Sequence, residues 1–168
     1  MALKPYEQKY DEFVKEDEIS KDSSEKAKVS HYMDRAQSDL FLARLLMKIS
    51  TNTAYKQSLQ IDSNYVSFHW VIIISYYAMY HAATAAIAQK SLKARSHVAT
   101  VAALAKHYAL GSKLAQQLEE IYIIHLDATR ITRTIAQYEV TKSFSEKEAQ
   151  RIIDTAQEFM DKIREVIS

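Results

Sequence analysis

The sequence predicts an all-α protein, an antiparallel four- to five-helix bundle around one long apolar central helix. Three observations carry that expectation. Gly and Pro occur once each, at Gly111 and Pro5. Sandwiches, barrels and doubly wound sheets need many more turn residues than that. Apolar residues make up 48% of 168 positions, enough for one core in one domain. And the segment from Ser63 to Gln89 holds no Asp, Glu, Lys or Arg.

The elements follow in order. Residues 1–28 carry 6 basic and 8 acidic side chains and read as a charged N-terminal extension. Tyr6, Tyr10, Phe13 and Val14 have helical spacing, whereas Lys15 to Lys28 reads as a linker. The domain proper spans 29–168. Its first helix is expected from Val29 to Ile49, because Val29, Met33, Ala36, Leu40, Ala43 and Met47 alternate steps of four and three. Thr51 to Ser63 is polar and connects.

The central helix is expected from Asn64 to Lys90, with Asp62, Ser63 or Asn64 as cap. It is apolar nearly all round, as a helix enclosed by others is. Its length also matches a bilayer span. His69, Tyr76, Tyr77, Tyr80 and His81 would be costly in hydrocarbon, so a bundle core is the preferred reading and no membrane is expected. A third helix runs from His97, capped by Ser96, to Ala109 and stops at Gly111. A fourth, Ser112 to Val140, has Leu114, Leu118, Ile121, His125 and Ala128 on one stripe. A fifth opens on the capping box Ser145-Glu146-Lys147-Glu148. Its inner face is Ile152, Ala156, Phe159, Ile163 and Val166.

Composition excludes several chemistries. With no cysteine there is no disulfide, thiolate metal site or cysteine nucleophile. One glycine cannot build a phosphate loop. No two histidines lie three or four residues apart, so no metal and no cofactor is expected. The N-terminus lacks the apolar run of a signal peptide, and the expected location is cytoplasmic.

Net charge is +1, but Ser63 to Leu118 contains no acid. That window holds Lys90, Lys93, Arg95, Lys106, Lys113 and four histidines. Such a window suits an anion-facing surface, or equally a buried helix followed by ordinary surface lysines. Three sets of residues suit nucleotide chemistry. Tyr76, Tyr77, Tyr80 and His81 offer stacking rings with polar tips. Arg130, Arg133 and Gln137 share a helix face, with Tyr138 beside them, and the two arginines suit phosphate. Lys93, Arg95, Ser96 and His97 stand at a helix start, which favours an anion. Each set has a structural alternative: a satisfied core for the first, an ion pair of Asp127 with Arg130 or Arg133 for the second, and a plain capped helix for the third.

Tyr76-Tyr77-Ala78-Met79-Tyr80-His81-Ala82-Ala83 resembles the signature on the long second helix of the HEPN family. The likeness continues through Lys93–His97 and through Arg133, which four residues separate from Tyr138. It covers about residues 29 to 167. The resemblance implies a four- or five-helix bundle, commonly a homodimer, that handles RNA or nucleotides. Many members are ribonucleases, and many are toxins paired with a nucleotidyltransferase antitoxin. It puts Arg133 and Tyr138 where the ribonucleases have their arginine and histidine, and Arg130, Arg133, Tyr77, His81 and His97 are the expected phosphate-binding residues. In the ribonucleases a histidine follows the arginine after four to six residues. Here no histidine follows Arg130 or Arg133 at all. Tyrosine, with a pKa of about 10, is a poor base at neutral pH. The motif therefore supports phosphate binding better than metal-independent RNA cleavage. An active ribonuclease and a non-catalytic interaction module remain the alternatives.

Overall fold

A computed structural model describes residues 3–110 and 116–168. Within them lie seven α-helices and a two-stranded sheet: α1 Lys4–Lys15, β1 Ile19–Lys21, α2 Val29–Thr51, α3 Thr53–Ser58, α4 Phe68–Gln89, β2 Leu92–Ala94, α5 His97–Leu104, α6 Glu120–Tyr138 and α7 Glu146–Ile167. A 3₁₀ helix, Ser23–Lys28, leads into α2, and a π turn, Ala105–Ala109, extends α5. The all-α expectation holds. The glycine stop at Gly111 and the stripe position Leu114 lie outside the described residues.

Helix α4 is the centre of the bundle and packs against α2, α5, α6 and α7. Val71, Ile72, Tyr76, Met79 and the run of alanines from Ala82 to Ala88 are buried. Those small side chains let neighbouring helices approach closely. By length and composition α4 is the one described helix apolar enough to cross a membrane, and 72% of its apolar window is buried inside the protein. Helix α2 runs antiparallel to it. Ser50 Oγ meets Ser67 Oγ at 3.0 Å at one end, and Asp39 meets His81 further along.

The start of α4 differs from expectation. Residues 64–67 are not helical, and none of Asp62, Ser63 or Asn64 is its cap. The cap position falls to Ser67, whose hydroxyl bonds Ser50 rather than the helix. Ser67 N–H also donates to Ser50 Oγ, at 3.0 Å. The Ser50–Ser67 clasp thus decides where the helix begins.

The stripes on α2 and α7 are inward, as their spacing requires. Ala36, Leu40, Ala43 and Met47 are buried, and so are Ile152, Ala156, Phe159 and Ile163. The capping box forms: Glu148 N–H donates to Ser145 Oγ, and Ser145 N–H to Glu148 Oε2. Helix α6 departs from its reading. Its inner face is Ile123, Leu126, Thr129 and Arg133. Ile121 and Ala128, from the stripe the sequence suggests, are exposed. The helix is apolar on two opposite faces, and spacing alone cannot say which one the core takes.

The stretch expected as linker is structured. Strand β1 pairs antiparallel with β2, Ile19 opposite Ala94, and Ile19 is buried. Helix α1 lies on α5 and the π turn, with Leu3 in the core. Helix ends without glycine use other residues in the left-handed region: Asp17 after α1 has φ 58° and Ser91 after α4 has φ 56°. Such positions cost roughly 1 kcal/mol or more in any residue with a Cβ.

Candidate functional site

The site is built on the middle of α4, with α6 on one side and the start of α5 on the other. Tyr76, Tyr77, Tyr80 and His81 occupy one sector of α4. Arg133 comes from the inner face of α6. Its guanidinium carbon lies 5.1 Å from the Tyr76 ring centroid and 5.7 Å from that of Tyr77. Both distances are within cation–π range. His97, the first residue of α5, stands 4.2 Å from Tyr80, ring to ring, and its Nδ1 is 2.7 Å from the Tyr76 hydroxyl. The Ser96 hydroxyl caps α5 by accepting from Ala99 N–H, which fixes where that imidazole starts.

Arg133 lies on the buried inner face of α6. It is only 8% exposed. Nη1 donates to Gln137 Oε1 at 3.0 Å, and Nε is buried with no acceptor. Among the described residues no carboxylate forms an ion pair with it. Arg130 is different. Its Nε donates to Asp127 Oδ1 at 2.6 Å, and Asp127 Oδ2 accepts from the Tyr6 hydroxyl at 2.6 Å. The alternative reading of Arg130, a local ion pair, describes its geometry.

Two titrations follow. Burial, then the nearby positive charges of Arg133 and Arg130, push the His97 imidazole down to about 4. It is neutral at pH 7. Burial raises the Tyr76 hydroxyl well above its usual value, although Arg133 pulls the other way. Tyr76 therefore keeps its proton. His81 Nδ1 lies 2.7 Å from Asp39 Oδ2. A carboxylate only accepts, so Nδ1 carries a hydrogen, and in the ring with a single hydrogen Nε2 is the bare nitrogen.

The predicted residues thus divide. Arg133, Tyr77 and His97 converge around Tyr76, and His81 stacks beside Tyr77. Arg130 is near enough for its charge to act on His97 and Tyr76, while its own guanidinium is held by Asp127. Tyr138 does not join them: it ends α6, 67% exposed. Arg95 is spent on Asp17, and Lys106 on Glu7 at 2.7 Å. Two of the cations of the acid-free window are therefore answered by carboxylates of the N-terminal extension. The residue that sequence reasoning missed is Asp39. Its signal was its place, three positions after Ala36 and four before Ala43, on the inner stripe of α2. Among the described residues, no group of three or more acids and histidines is placed to hold a metal.

Comparison with protein families matches residues 29–166 to the HEPN domain. The chain belongs to the HEPN family. No curated protein and no solved structure shows a significant match. Membership gives this HEPN domain a nucleotide- or RNA-related role in general terms. The match begins where α2 begins, so α1, β1 and the contacts of Tyr6, Glu7 and Asp17 are additions to the matched HEPN region.

Proposed function

We propose that this HEPN domain binds the phosphate of a nucleotide or RNA at Arg133. One observation carries the reading: a buried guanidinium with an unmatched donor and, among the described residues, no counter-ion. Two cation–π contacts supply about 1–2 kcal/mol each at best. Burying an uncompensated charge costs several kcal/mol. The tyrosine rings and Gln137 alone do not offset that, and a phosphate bonded to the guanidinium would. Tyr77 and His97 are the aromatic neighbours of Arg133 and Tyr76, and His81 Nε2 is the candidate acceptor for a ribose hydroxyl.

A second copy of the chain completes the assembly in this reading. Opposite its inner face, α6 exposes Ile121, Ile124 and Ile131, each at least 41% accessible. A helix apolar on both faces is normally covered on both. HEPN domains often dimerise, and this stripe is the surface to be covered.

The test is a thermal-shift and filter-binding titration with ribose 5-phosphate, nucleotides and RNA. Wild type binds, and Arg133→Ala does not. Equal binding by the variant, or none by wild type, removes the proposal.

The Asp39–His81 pair favours one alternative, a metal-independent ribonuclease in which Nε2 takes the 2′-hydroxyl proton while Arg133 holds the phosphate. That route lacks an acid at pH 7, because His97 is already neutral and burial makes the Tyr76 hydroxyl too weak an acid to give up its proton. RNA left intact for hours by purified dimer would dismiss it.

A further inference from the structure

Helix α1 reaches the candidate site through one carboxylate. Asp127 Oδ2 accepts from the Tyr6 hydroxyl and Oδ1 from Arg130 Nε, each at 2.6 Å. We propose that α1 is a releasable strap that restrains anion binding at this site by keeping Asp127 on Arg130, and that a bound anion loosens it. The proposal rests on the phosphate reading above and adds how that site is regulated.

The strap is held by its side-chain tips more than by a core. No residue of α1 is fully buried, and Tyr6, Tyr10 and Phe13 pack only partly covered against the domain. Beyond Tyr6, its polar ties are Glu7 to Lys106 Nζ at 2.7 Å and the Tyr10 hydroxyl, 2.9 Å from His107 Nε2. Ties as accessible as these exchange readily for water. Among the described residues, Leu3, just ahead of α1, is the one side chain the strap must withdraw from the core. Its root is firmer. Ile19 is buried on the β1–β2 pair, and Arg95 N–H donates to Glu18 O at 2.9 Å. Between helix and root stands Asp17, at φ 58°. A backbone change at such an element-terminal position swings α1 without melting the strand pair.

Arg130 is what the strap controls. It stands three positions before Arg133, one turn along α6. Asp127 holds its Nε, and among the described residues neither Nη has a hydrogen-bond partner. The side chain keeps 23% of its surface exposed, so an anion can reach it. Its charge acts at the site, where with burial and Arg133 it holds the His97 imidazole low. Asp127 and a bound anion therefore compete for one guanidinium. The Tyr6 hydroxyl favours Asp127, because it occupies the second carboxylate oxygen and fixes the group in place. An anion that draws Arg130 toward Arg133 takes away the partner on Oδ1 and repels the carboxylate, and the tie to Tyr6 slackens. Such coupling is reciprocal: the factor that strap closure takes from anion affinity is the factor the anion takes from closure.

Hydrogen exchange on the full chain reads this coupling, with pyrophosphate as the probe, since it offers one phosphoryl group to each arginine. Pyrophosphate is expected to speed exchange of the α1 amides about fivefold, the low end of ordinary coupling, while α7 is unchanged. Tyr6→Phe, with its strap already loosened, is expected to bind pyrophosphate about fivefold tighter. Arg130→Gln still binds through Arg133, more weakly, and its α1 no longer responds. A response that survives in Arg130→Gln overturns the proposal, as does equal affinity in Tyr6→Phe. If pyrophosphate raises the melting midpoint through Arg133 but leaves α1 exchange unchanged or slower, the strap falls and the phosphate site stands. If it does not bind at all, both fall.

Discussion

The Tyr6 hydroxyl donates to Asp127 Oδ2 at 2.6 Å across 121 positions of sequence. Tyr6 precedes the matched family region, whereas Asp127 lies inside it and holds Arg130. Burial and the carboxylate both raise the Tyr6 hydroxyl above its usual pKa, so it remains a donor. The N-terminal helix is in this way tied to a guanidinium at the border of the site. Tyr6→Phe removes the hydroxyl and keeps the ring. We expect a loss of roughly 1–2 kcal/mol in urea unfolding, as for a hydrogen bond to a charged group. Phosphate affinity should rise, because Asp127 is less firmly placed to neutralise Arg130. Unchanged stability and affinity would show that α1 merely rests on the domain.

Arg133→Met separates a structural arginine from a ligand-seeking one. The methionine stem keeps an apolar contact on Tyr76 and Tyr77 and deletes the charge. Removing a partner from a settled ion pair destabilises strongly, but Arg133 has no such partner among the described residues. The apo protein should stay within about 1 kcal/mol of wild type, or become more stable, while phosphate binding is lost. A fall of 3 kcal/mol or more, with binding retained by the folded fraction, would refute the reading.

What the sequence disclosed and what it hid have physical causes. Helices α2 and α7 were legible because one apolar stripe meets one core, and the Ser145–Glu148 box is a local signal. The start of α4 was hidden because it depends on Ser50, a residue of another helix. On α6, Ile121 and Ile123 are equally apolar, so periodicity offered two inner faces and no means of choosing. The tyrosine cluster was legible as residues but not as geometry. The burial of Arg133 was not legible, because charge ordinarily reads as exposure. Asp39 was passed over for the same reason, since an acid on an apolar stripe looks like an exception until His81 is seen opposite.

His97 gives a pH dependence whose sign can be worked out. Its folded pKa is about 4, against an ordinary value of 6.5. Between those limits the unfolded chain binds more protons, so this group's contribution is full above pH 6.5 and is lost as pH falls toward 4. Urea midpoints should drop across that window, and His97→Gln should flatten the drop. A bound phosphate offsets the positive field of Arg133 and Arg130, so His97 in the complex should titrate higher than in the free protein. Sulfate, an anion of the same shape whose charge does not change across this window, should then bind more tightly at pH 5 than at pH 7, with proton uptake visible as a buffer-dependent heat of binding. An affinity that ignores pH, or weakens on acidification, would place the phosphate away from His97.

The outer stripe of α6 sets the last expectation. Ile124 is 41% exposed and lies between Ile121 and Ile131 along the helix. If a second copy covers the stripe, a glutamate there must be buried without a partner, at a cost of several kcal/mol. Ile124→Glu should therefore raise the dimer dissociation constant by roughly a hundredfold or more. Its fold should be intact, because the side chain faces away from the core that holds Ile123 and Leu126. Sedimentation velocity at micromolar concentration reads the difference directly, as dimer for wild type and monomer for the variant. Identical sedimentation of the two would move the interface off α6, and a monomeric wild type would leave the site to be completed within one chain.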